Sequence, residues 1–341
     1  MTTFDFGLMT RAQYRRDEDV PARFTELMEQ ARLAEKLGYV SFVKGQHFSS
    51  HPFYEIQQLP LLCRVAAEAP SLRLVTGINL LTLHKPLDIA EQIATLDLMS
   101  NGKVVFGCGL GYREVEYKGF GVAKGQGARR FEENLEAIKQ HFTGEAETMK
   151  GSHFELDDAR ISVPLVQKPR PPIWIGANAD VAIKRAARMG DVWYISAHHR
   201  FDTLQRQFDL YRRELDRLGK PLPEEIPFRR EIFVADSRAQ AIEMVRPYLG
   251  LKYSAYHQWG QDKVMPEGDN DLGQDFDDLM QGRFVLGSPD EVAEEIVKFH
   301  RAFGVNHMPL CLQWPGMPQS MTLEAMHRFA EEVLPRVRQG I

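Results

Sequence analysis

Short apolar runs alternate with helical patterns along almost the entire chain. In the first helical pattern, apolar residues recur every three or four positions. Asp19 is suited to the N-cap of this helix, and Gly38 is suited to the left-handed backbone conformation that often follows a helix C-terminus. The same order of strand, helix and turn then repeats. The apolar runs predict eight strands, at residues 4–9, 39–43, 72–79, 104–109, 172–176, 192–196, 228–235 and 307–313.

This alternation of strands and helices predicts an α/β fold. Composition does not shift along the chain and no linker separates the repeats. The pattern therefore favours a parallel (β/α)8 TIM barrel in one domain, 1–341, over an open doubly wound sheet. Because active sites of such barrels lie at the carboxyl ends of the strands, residues that follow the predicted strands are the functional candidates.

Three segments depart from the regular repeat. Residues 147–171 contain short alternating runs and a proline cluster, which predict a small β insertion. Residues 254–283 are polar and rich in glycine and aspartate, which predicts a long lid-like loop. Residues 112–121, after the fourth strand, are interpreted as another loop.

Composition and charge exclude several classes of protein. The net charge is −5 and no basic stripe is present, so nucleic acid is not an expected partner. The adjacent Arg229 and Arg230 are interpreted as solvated residues at a strand end. Three separated cysteines form no disulfide framework or metal-binding pair. Without a secretory signal or a membrane-spanning apolar run, we expect a cytoplasmic protein that does not enter a membrane.

Two glycine-containing turns follow predicted strands. In Gly107-Cys108-Gly109-Leu110-Gly111 the third glycine comes one position too early for a dinucleotide fingerprint, and these glycines instead let a flat ring or a phosphate approach the backbone. The turn at 176–178 leads into a helix, so its N–H groups and the helix dipole favour an anion. An ordinary strand-to-helix turn explains that second pattern equally well.

A histidine follows the second predicted strand. His47 and His51 have the spacing of two metal ligands on a helix, but Pro52 argues against a helix and no glutamate accompanies them, so no metal site is expected. At a barrel mouth His47 is a candidate for general acid–base chemistry. A structural histidine is an equally good interpretation of the same position.

Several segments together resemble the bacterial-luciferase-like flavin-dependent monooxygenase family. Their order and spacing agree over essentially the whole chain. The segments are Gln46-His47-Phe48 and residues 72–81, 84–87, 90–92, 96–103, 106–112 and 170–178. The resemblance implies an FMN-using barrel in which a separate flavin reductase supplies reduced FMN and dioxygen oxygenates a small organic substrate. Homodimers are common among such barrels.

The resemblance also implies the residues of the cofactor site. It implies a non-proline cis peptide at Gly77–Ile78 beneath the flavin ring, with Thr76 and Asn79 bordering the ring. Gly109, Gly111 and Tyr112 would lie along the ribityl chain or phosphate. The phosphate site itself would contain Gly176, Ala177 and Asn178.

The sequence departs from the luciferase pattern in two places. Gln46 occupies the position of the luciferase catalytic histidine, and Leu110 occupies the position of its phosphate-binding arginine. Arg113 is a candidate replacement for that arginine. These differences predict a relative of luciferase rather than a light-emitting enzyme.

Three functions remain open from the sequence. The first is an FMN-dependent monooxygenase, the second a deazaflavin-dependent hydride-transfer enzyme on the same fold, and the third a catalytically silent flavin-binding protein. Tyr253, Tyr256, Trp259 and Trp314 are candidates for an apolar pocket lining, although aromatic core packing would give the same pattern.

Overall fold

The computed structural model describes residues 4–341. Their strands are β1 (Asp5–Thr10), β2 (Gln13–Tyr14), β3 (Ser41–Lys44), β4 (Tyr54–Glu55), β5 (Arg73–Thr76), β6 (Asn79–Leu80), β7 (Val104–Gly109), β8 (Glu147–Lys150), β9 (Glu155–Ala159), β10 (Ile173–Gly176), β11 (Val192–Tyr194), β12 (Arg230–Val234), β13 (Phe284–Gly287) and β14 (His307–Cys311).

Helices connect most of these strands. They are α1 (Val20–Lys36), α2 (Gln58–Glu68), α3 (Pro86–Met99), α4 (Glu114–Gly119), α5 (Gly127–His141), α6 (Asp180–Met189), α7 (Phe201–Arg217), α8 (Arg238–Gln258), α9 (Phe276–Leu279), α10 (Pro289–Phe303), α11 (Gln319–Arg328) and α12 (Leu334–Gly340). No helix of the described residues is long and apolar enough to cross a membrane.

Eight parallel strands form a ring, which confirms the predicted (β/α)8 barrel. Their order is β11-β10-β7-β5-β3-β1-β14-β12, and a parallel bridge between Ile195 and Phe228 joins the two ends of this order. Inside the ring, one apolar cluster contains a residue from nearly every strand, including Met9, Val75 and Trp174. A larger cluster fills the space between the strands and the helices.

The third predicted strand is interrupted after Thr76. A cis peptide joins Gly77 to Ile78, and the chain then resumes as β6 beside β7. At this point β5 and β7 lie very close together, because a Cβ at Gly107 would lie 1.9 Å from the Thr76 carbonyl oxygen. The Thr76 hydroxyl donates to the Gly107 carbonyl oxygen and accepts from the Gly107 N–H, both at 2.8 Å.

The predictions for two of the irregular segments, 147–171 and 112–121, differ in how well they agree with the structure. β8 and β9 form the antiparallel hairpin predicted within 147–171. The loop predicted at 112–121 is wrong over most of its length, because α4 begins at Glu114, a six-residue helix that is too short to display a periodic pattern. Its ends nevertheless carry charges that suit the helix dipole, with Glu114 and Glu116 in the first turn and Lys118 in the last.

The predicted lid-like loop is shorter than 254–283. Helix α8 continues to Gln258, a helical turn follows at Gln261–Val264, and α9 occupies four more residues. The strand that follows, β13, was missed because its four residues precede the strong N-cap Ser288 and resemble the entry to α10. It pairs in parallel with β12.

Candidate active site

A cavity of about 330 Å³ opens among the loops that follow the barrel strands. Its walls come from the ends of β3, β7, β10 and β11 and from the carboxyl end of α8. Such a position is the usual one for the active site of a barrel. Eight of the residues predicted from the sequence line this cavity: His47, Gly77, Ile78, Gly111, Tyr112, Gly176, Ala177 and Asn178.

Three predicted cofactor residues lie behind the cavity wall. Thr76 and Asn79 are fully buried, with Thr76 bonded to Gly107 and the Asn79 amide donating to Gln58 at 3.3 Å. A Cβ at Gly109 would lie 2.1 Å from the Ile78 side chain. These residues hold the floor of the cavity at Gly77–Ile78 in place from below.

Gln46 also supports this floor. Its side-chain oxygen accepts a hydrogen bond of 2.7 Å from the Leu80 N–H, and the residue lines the cavity. The amide at the position of the luciferase histidine therefore fixes the backbone that follows the cis peptide. Its partner in this role was not predictable from sequence, because Gln46 and Leu80 are 34 positions apart.

His47 is held by a buried carboxylate. Its Nδ1 lies 2.9 Å from Glu116 Oε1, and both side chains are almost fully buried. The ring meets Tyr112, Tyr256 and Trp259 edge-on. A carboxylate at Nδ1 favours the tautomer in which Nδ1 carries the proton, which leaves Nε2 as the proton acceptor. Sequence reasoning missed Glu116 because its helix α4 was interpreted as a loop.

The turn at Gly176–Asn178 leads to the N-terminus of α6. The N-cap is Ala179, so no side chain caps this ten-residue helix. The carboxylate of Asp180 in its first turn is bound by Arg206 at 2.6 Å, and these hydrogen bonds lower the pKa of Asp180. Because that charge is neutralised, the free N–H groups of the first turn remain favourable for an anion.

Arg185 supplies a positive charge to the same region. It lies on α6, lines the cavity and pairs with Glu132 at 2.7 Å. The prediction that Arg113 replaces the phosphate-binding arginine of luciferase is wrong. Its guanidinium donates to the carbonyl oxygens of Phe48 and Ser49 and stacks on Trp259, which commits it elsewhere.

Another group of polar residues on the cavity was missed from sequence. Arg11 follows β1, Arg229 precedes β12, and His198 follows β11, and all three line the cavity together with Tyr194. The interpretation of Arg229 and Arg230 as solvated is wrong, since they are 4% and 0% exposed. Adjacent strand residues point to opposite faces, and here both faces are buried.

The part of the predicted lid-like loop that follows α8 lines the cavity with Gln261 and Val264. Tyr256, near the end of α8, lines the cavity as well. Buried polar contacts anchor the segment. Asp269 accepts hydrogen bonds of 3.1 Å from His199 Nδ1 and from the Arg200 N–H. We name residues 259–283 the cover segment.

Comparison with known proteins assigns the chain that contains this site to a family. The profile of the luciferase-like monooxygenase family matches residues 4–307. The chain is 27% identical over 331 residues to an F420-dependent glucose-6-phosphate dehydrogenase of Amycolatopsis mediterranei, covering 92% of this chain and 94% of that protein. It is 23% identical over 333 residues to the oxygenase component of a flavin-dependent trigonelline monooxygenase of Acinetobacter baylyi, covering 92% and 89%.

Solved structures agree on the fold. The crystal structure of monooxygenase RslO1 from Streptomyces bottropensis superposes with a TM-score of 0.83 at 24% identity, covering 97% of this chain and 99% of that one. The family includes flavin-dependent monooxygenases and F420-dependent oxidoreductases. The chain belongs to the luciferase-like monooxygenase family.

Proposed function

We propose that this chain is the oxygenase component of a flavin-dependent monooxygenase that uses reduced FMN and dioxygen to oxygenate a small organic substrate. The observation that carries the proposal is the combination, in one cavity, of an apolar floor at Gly77–Ile78 and a turn that leads into a helix N-terminus without a side-chain cap. A flat ring with a phosphate at one end requires both features.

The residues present fit FMN. Gly77, Gly111 and Gly176 line the cavity without a side chain of their own. A Cβ at Gly77 would lie 2.3 Å from Val43 and one at Gly176 would lie 2.9 Å from Ile78, so close packing of the chain itself requires glycine at both positions. The φ of +79° at Gly111 is accessible to glycine at little cost. Gly77–Ile78 would lie under the ring, and Gly111 and Tyr112 along the ribityl chain. The N–H groups of Gly176, Ala177 and Asn178 and the charge of Arg185 would hold the phosphate.

Reduced flavin, when bound, supplies the electrons and the oxygen-activating chemistry. The chain itself excludes water and handles a proton. Leu80, Tyr256 and Val264 give the cavity an apolar wall, which limits loss of reactive oxygen species to water. His47, oriented by Glu116, offers Nε2 to accept or return a proton at the reacting centre.

The two relatives named above differ in their cofactors, so the test compares the cofactors directly. We expect reduced FMN to bind the protein at least ~10-fold more tightly than reduced deazaflavin F420 in an anaerobic fluorescence titration. Adding oxygen and a separate flavin reductase with its nicotinamide reductant should then give an oxygenated product. Preferential binding of F420, or oxygen consumption that yields only peroxide with every substrate offered, would sink the proposal.

A matched pair of variants tests the phosphate end. Arg185 and Arg188 lie on the same helix and both pair with Glu132, but only Arg185 lines the cavity. Arg185→Met should weaken FMN about 10-fold and leave riboflavin, which lacks the phosphate, unchanged, since a charge-assisted hydrogen bond contributes roughly 1.5–3 kcal/mol. Arg188→Met should change neither. An equal loss for FMN and riboflavin would contradict this placement of the phosphate.

A further inference from the structure

Two arginines face the cavity at a distance from the α6 turn. In the ring order, β1 and β12 flank β14, and Arg11 and Arg229 adjoin these two strands. The turn at 176–178 follows β10, which is four places from β1 and two places from β12 in the eight-membered ring. The cavity therefore has an α6 end, at residues 176–185, and an arginine end, formed by Arg11 and Arg229. The end of β11, which lies between β10 and β12 in the ring, adds His198 and Tyr194 beside Arg229.

Neither arginine has a counterion among the described residues. Among residues 4–341, neither guanidinium takes part in an ion pair, and the acids nearby pair with other cations. The Nε atoms of Arg11 and Arg229 are buried without a hydrogen-bond partner. Arg229 makes one long contact, 3.4 Å from its Nη2 to His198 Nε2. Neither guanidinium therefore has a direct anionic partner among residues 4–341, although the groups around Arg11, with Glu55 and Glu231 among them, outweigh the effect of its burial and raise its pKa.

The nearest buried acids are already committed. Glu231 is bound by Lys252 and by the Trp314 indole N–H, the latter at 2.6 Å. Glu55 accepts from Lys44 at 3.1 Å and from Gln13 at 2.7 Å. The charged groups around this end thus comprise four cations and two carboxylates: Arg11, Arg229, Lys44 and Lys252 against Glu55 and Glu231.

Further groups at the arginine end are consistent with a local excess of positive charge. Burial, and next the charge of Arg229, hold the pKa of His198 well below its usual range, so this histidine is neutral. The Tyr194 hydroxyl is buried, belongs to a lining residue and has no hydrogen-bond partner among residues 4–341, which leaves a donor available. Arg229 is buried without a direct counterion among residues 4–341, which is costly, and a bound anion with hydrogen-bond acceptors would remove that cost.

We propose that the arginine end binds a carboxylate group of the substrate, so that the enzyme acts on a small organic carboxylate. The proposal rests on the proposed function, because it assigns the α6 end to the cofactor phosphate and the arginine end to a second anion. A planar guanidinium group can donate two parallel hydrogen bonds to a planar carboxylate. Arg11, Arg229 and Tyr194 together offer more donors than a single oxygen atom accepts, which favours a ligand group with two oxygen atoms.

The carbon skeleton of the substrate would lie against apolar residues next to the arginine end. The Tyr256 ring centroid lies 5.7 Å from the Arg11 guanidinium carbon, and Ile78 packs against the cluster that contains Tyr194. Both Tyr256 and Ile78 line the cavity. A carboxylate held by the arginines would therefore place its apolar part over the floor on which the flavin ring is proposed to lie.

The test measures anion binding without requiring turnover. FMN-loaded protein is titrated by calorimetry with acetate and benzoate and with their neutral analogues acetamide and benzamide. We expect at least one carboxylate to bind at least ~10-fold more tightly than its amide, and Arg229→Met and Arg11→Met each to remove that preference. The affinity for FMN should change less than about twofold.

The control variant removes an arginine that does not line the cavity. Arg16 follows β2, is exposed, and lies 4.3 Å over the Tyr54 ring. Arg16→Met changes the net charge by the same amount as Arg11→Met, but it should leave every affinity unchanged. A loss of carboxylate preference in Arg16→Met would show that the overall charge, rather than the arginine end, controls binding, and would overturn the proposal.

A second measurement keeps the proposal falsifiable if a variant folds poorly. Arg229→Met replaces a buried cation with an apolar side chain of similar length and should therefore raise the Tm of the ligand-free protein. It should also abolish the extra stabilisation that benzoate gives over chloride at equal ionic strength. A lower Tm with unchanged carboxylate binding would overturn the proposal.

The outcomes also separate this inference from the proposed function. If Arg229→Met alters FMN affinity or the flavin reduction potential while carboxylate binding is unchanged, the arginines serve the flavin and the inference is wrong. If carboxylates and amides bind equally, or no carboxylate binds, it is also wrong. If the protein does not bind FMN but still binds carboxylates with the expected preference, the proposed function fails and the anion site stands.

Discussion

The two ends of the cavity are built in different ways. The α6 end consists of backbone, namely three consecutive residues of a turn and the uncapped start of a helix, with one arginine beside it. The arginine end consists of side chains that come from three separate strand ends, and its two arginines have no direct counterion in the part of the chain that the structure describes. The first arrangement accepts an anion through N–H groups that any sequence of small residues provides, whereas the second depends on particular side chains.

The two ends are expected to control different kinds of specificity. A backbone site at a helix N-terminus recognises a phosphate with little regard for what the phosphate is attached to, which suits a cofactor shared by a family. Buried guanidinium groups are costly to keep, and their charge and geometry discriminate strongly between ligands. We therefore expect the α6 end to govern cofactor affinity and the arginine end to govern substrate choice.

The largest expected effect comes from a residue that belongs to neither end. His47→Asn should lower the oxygenation rate by roughly 10²–10⁴, the usual contribution of a general acid or base, and should leave the affinities for FMN and for carboxylates unchanged. Glu116→Gln should lower the rate by about 10-fold, since it removes the charge that orients His47. Single-turnover kinetics and the two titrations measure these effects. A parallel loss of FMN affinity would show that His47 is a structural part of the α6 end instead.

An intermediate effect is expected from crowding the floor. In Gly109→Val the new side chain meets Ile78, because a Cβ alone would lie 2.1 Å from Ile78 Cδ1, and Ile78 must move toward the cavity. FMN affinity should fall roughly 10- to 100-fold, since overpacking costs about 1–3 kcal/mol. Carboxylate affinity, measured without FMN, should change less than about threefold. Gly125→Val, where nothing lies within 4 Å, is the matched control. Equal losses of both ligands would break the distinction between the two ends.

The smallest effect concerns the cover segment. Burial alone raises the pKa of Asp269, but the hydrogen bond from His199 and the nearby positive charges lower it overall. Its stabilising contribution is therefore fully present above the ordinary aspartate pKa near 4 and is lost as the pH falls through the depressed folded value. Relative to the unchanged protein, Asp269→Asn should increase hydrogen exchange of residues 259–283 about 10-fold at pH 7, and by less at pH 3.

The control for this prediction lies on the same segment. Asp275 is exposed and its side chain caps no helix, so Asp275→Asn should leave hydrogen exchange of the cover segment unchanged at both pH values. An effect of Asp269→Asn that is equally large at pH 3 and pH 7 would contradict a role for the Asp269 charge.

The barrel and much of the α6 end were predictable from the sequence. Strand and helix periods are local signals, so the eight strands, the hairpin at 147–171 and the turn at 176–178 all follow from neighbouring residues. The resemblance of several segments to a known family also predicted the cis peptide at Gly77–Ile78, and the structure contains it. The cofactor-binding roles of the predicted residues remain proposals.

The positions of the eight barrel strands follow from the sequence, because alternation and turn chemistry are encoded within a few residues, but these local patterns did not reveal β13 or the end of β5 at Thr76. Which strand ends meet, by contrast, depends on how the ring closes. Arg11, His198 and Arg229 are separated by up to 218 positions, and nothing near any of them in sequence indicates that they share a cavity. The pairing of His47 with Glu116, 69 positions away, is equally non-local. Burial and the lack of a counterion are properties of a closed ring of strands, and a linear pattern does not contain them.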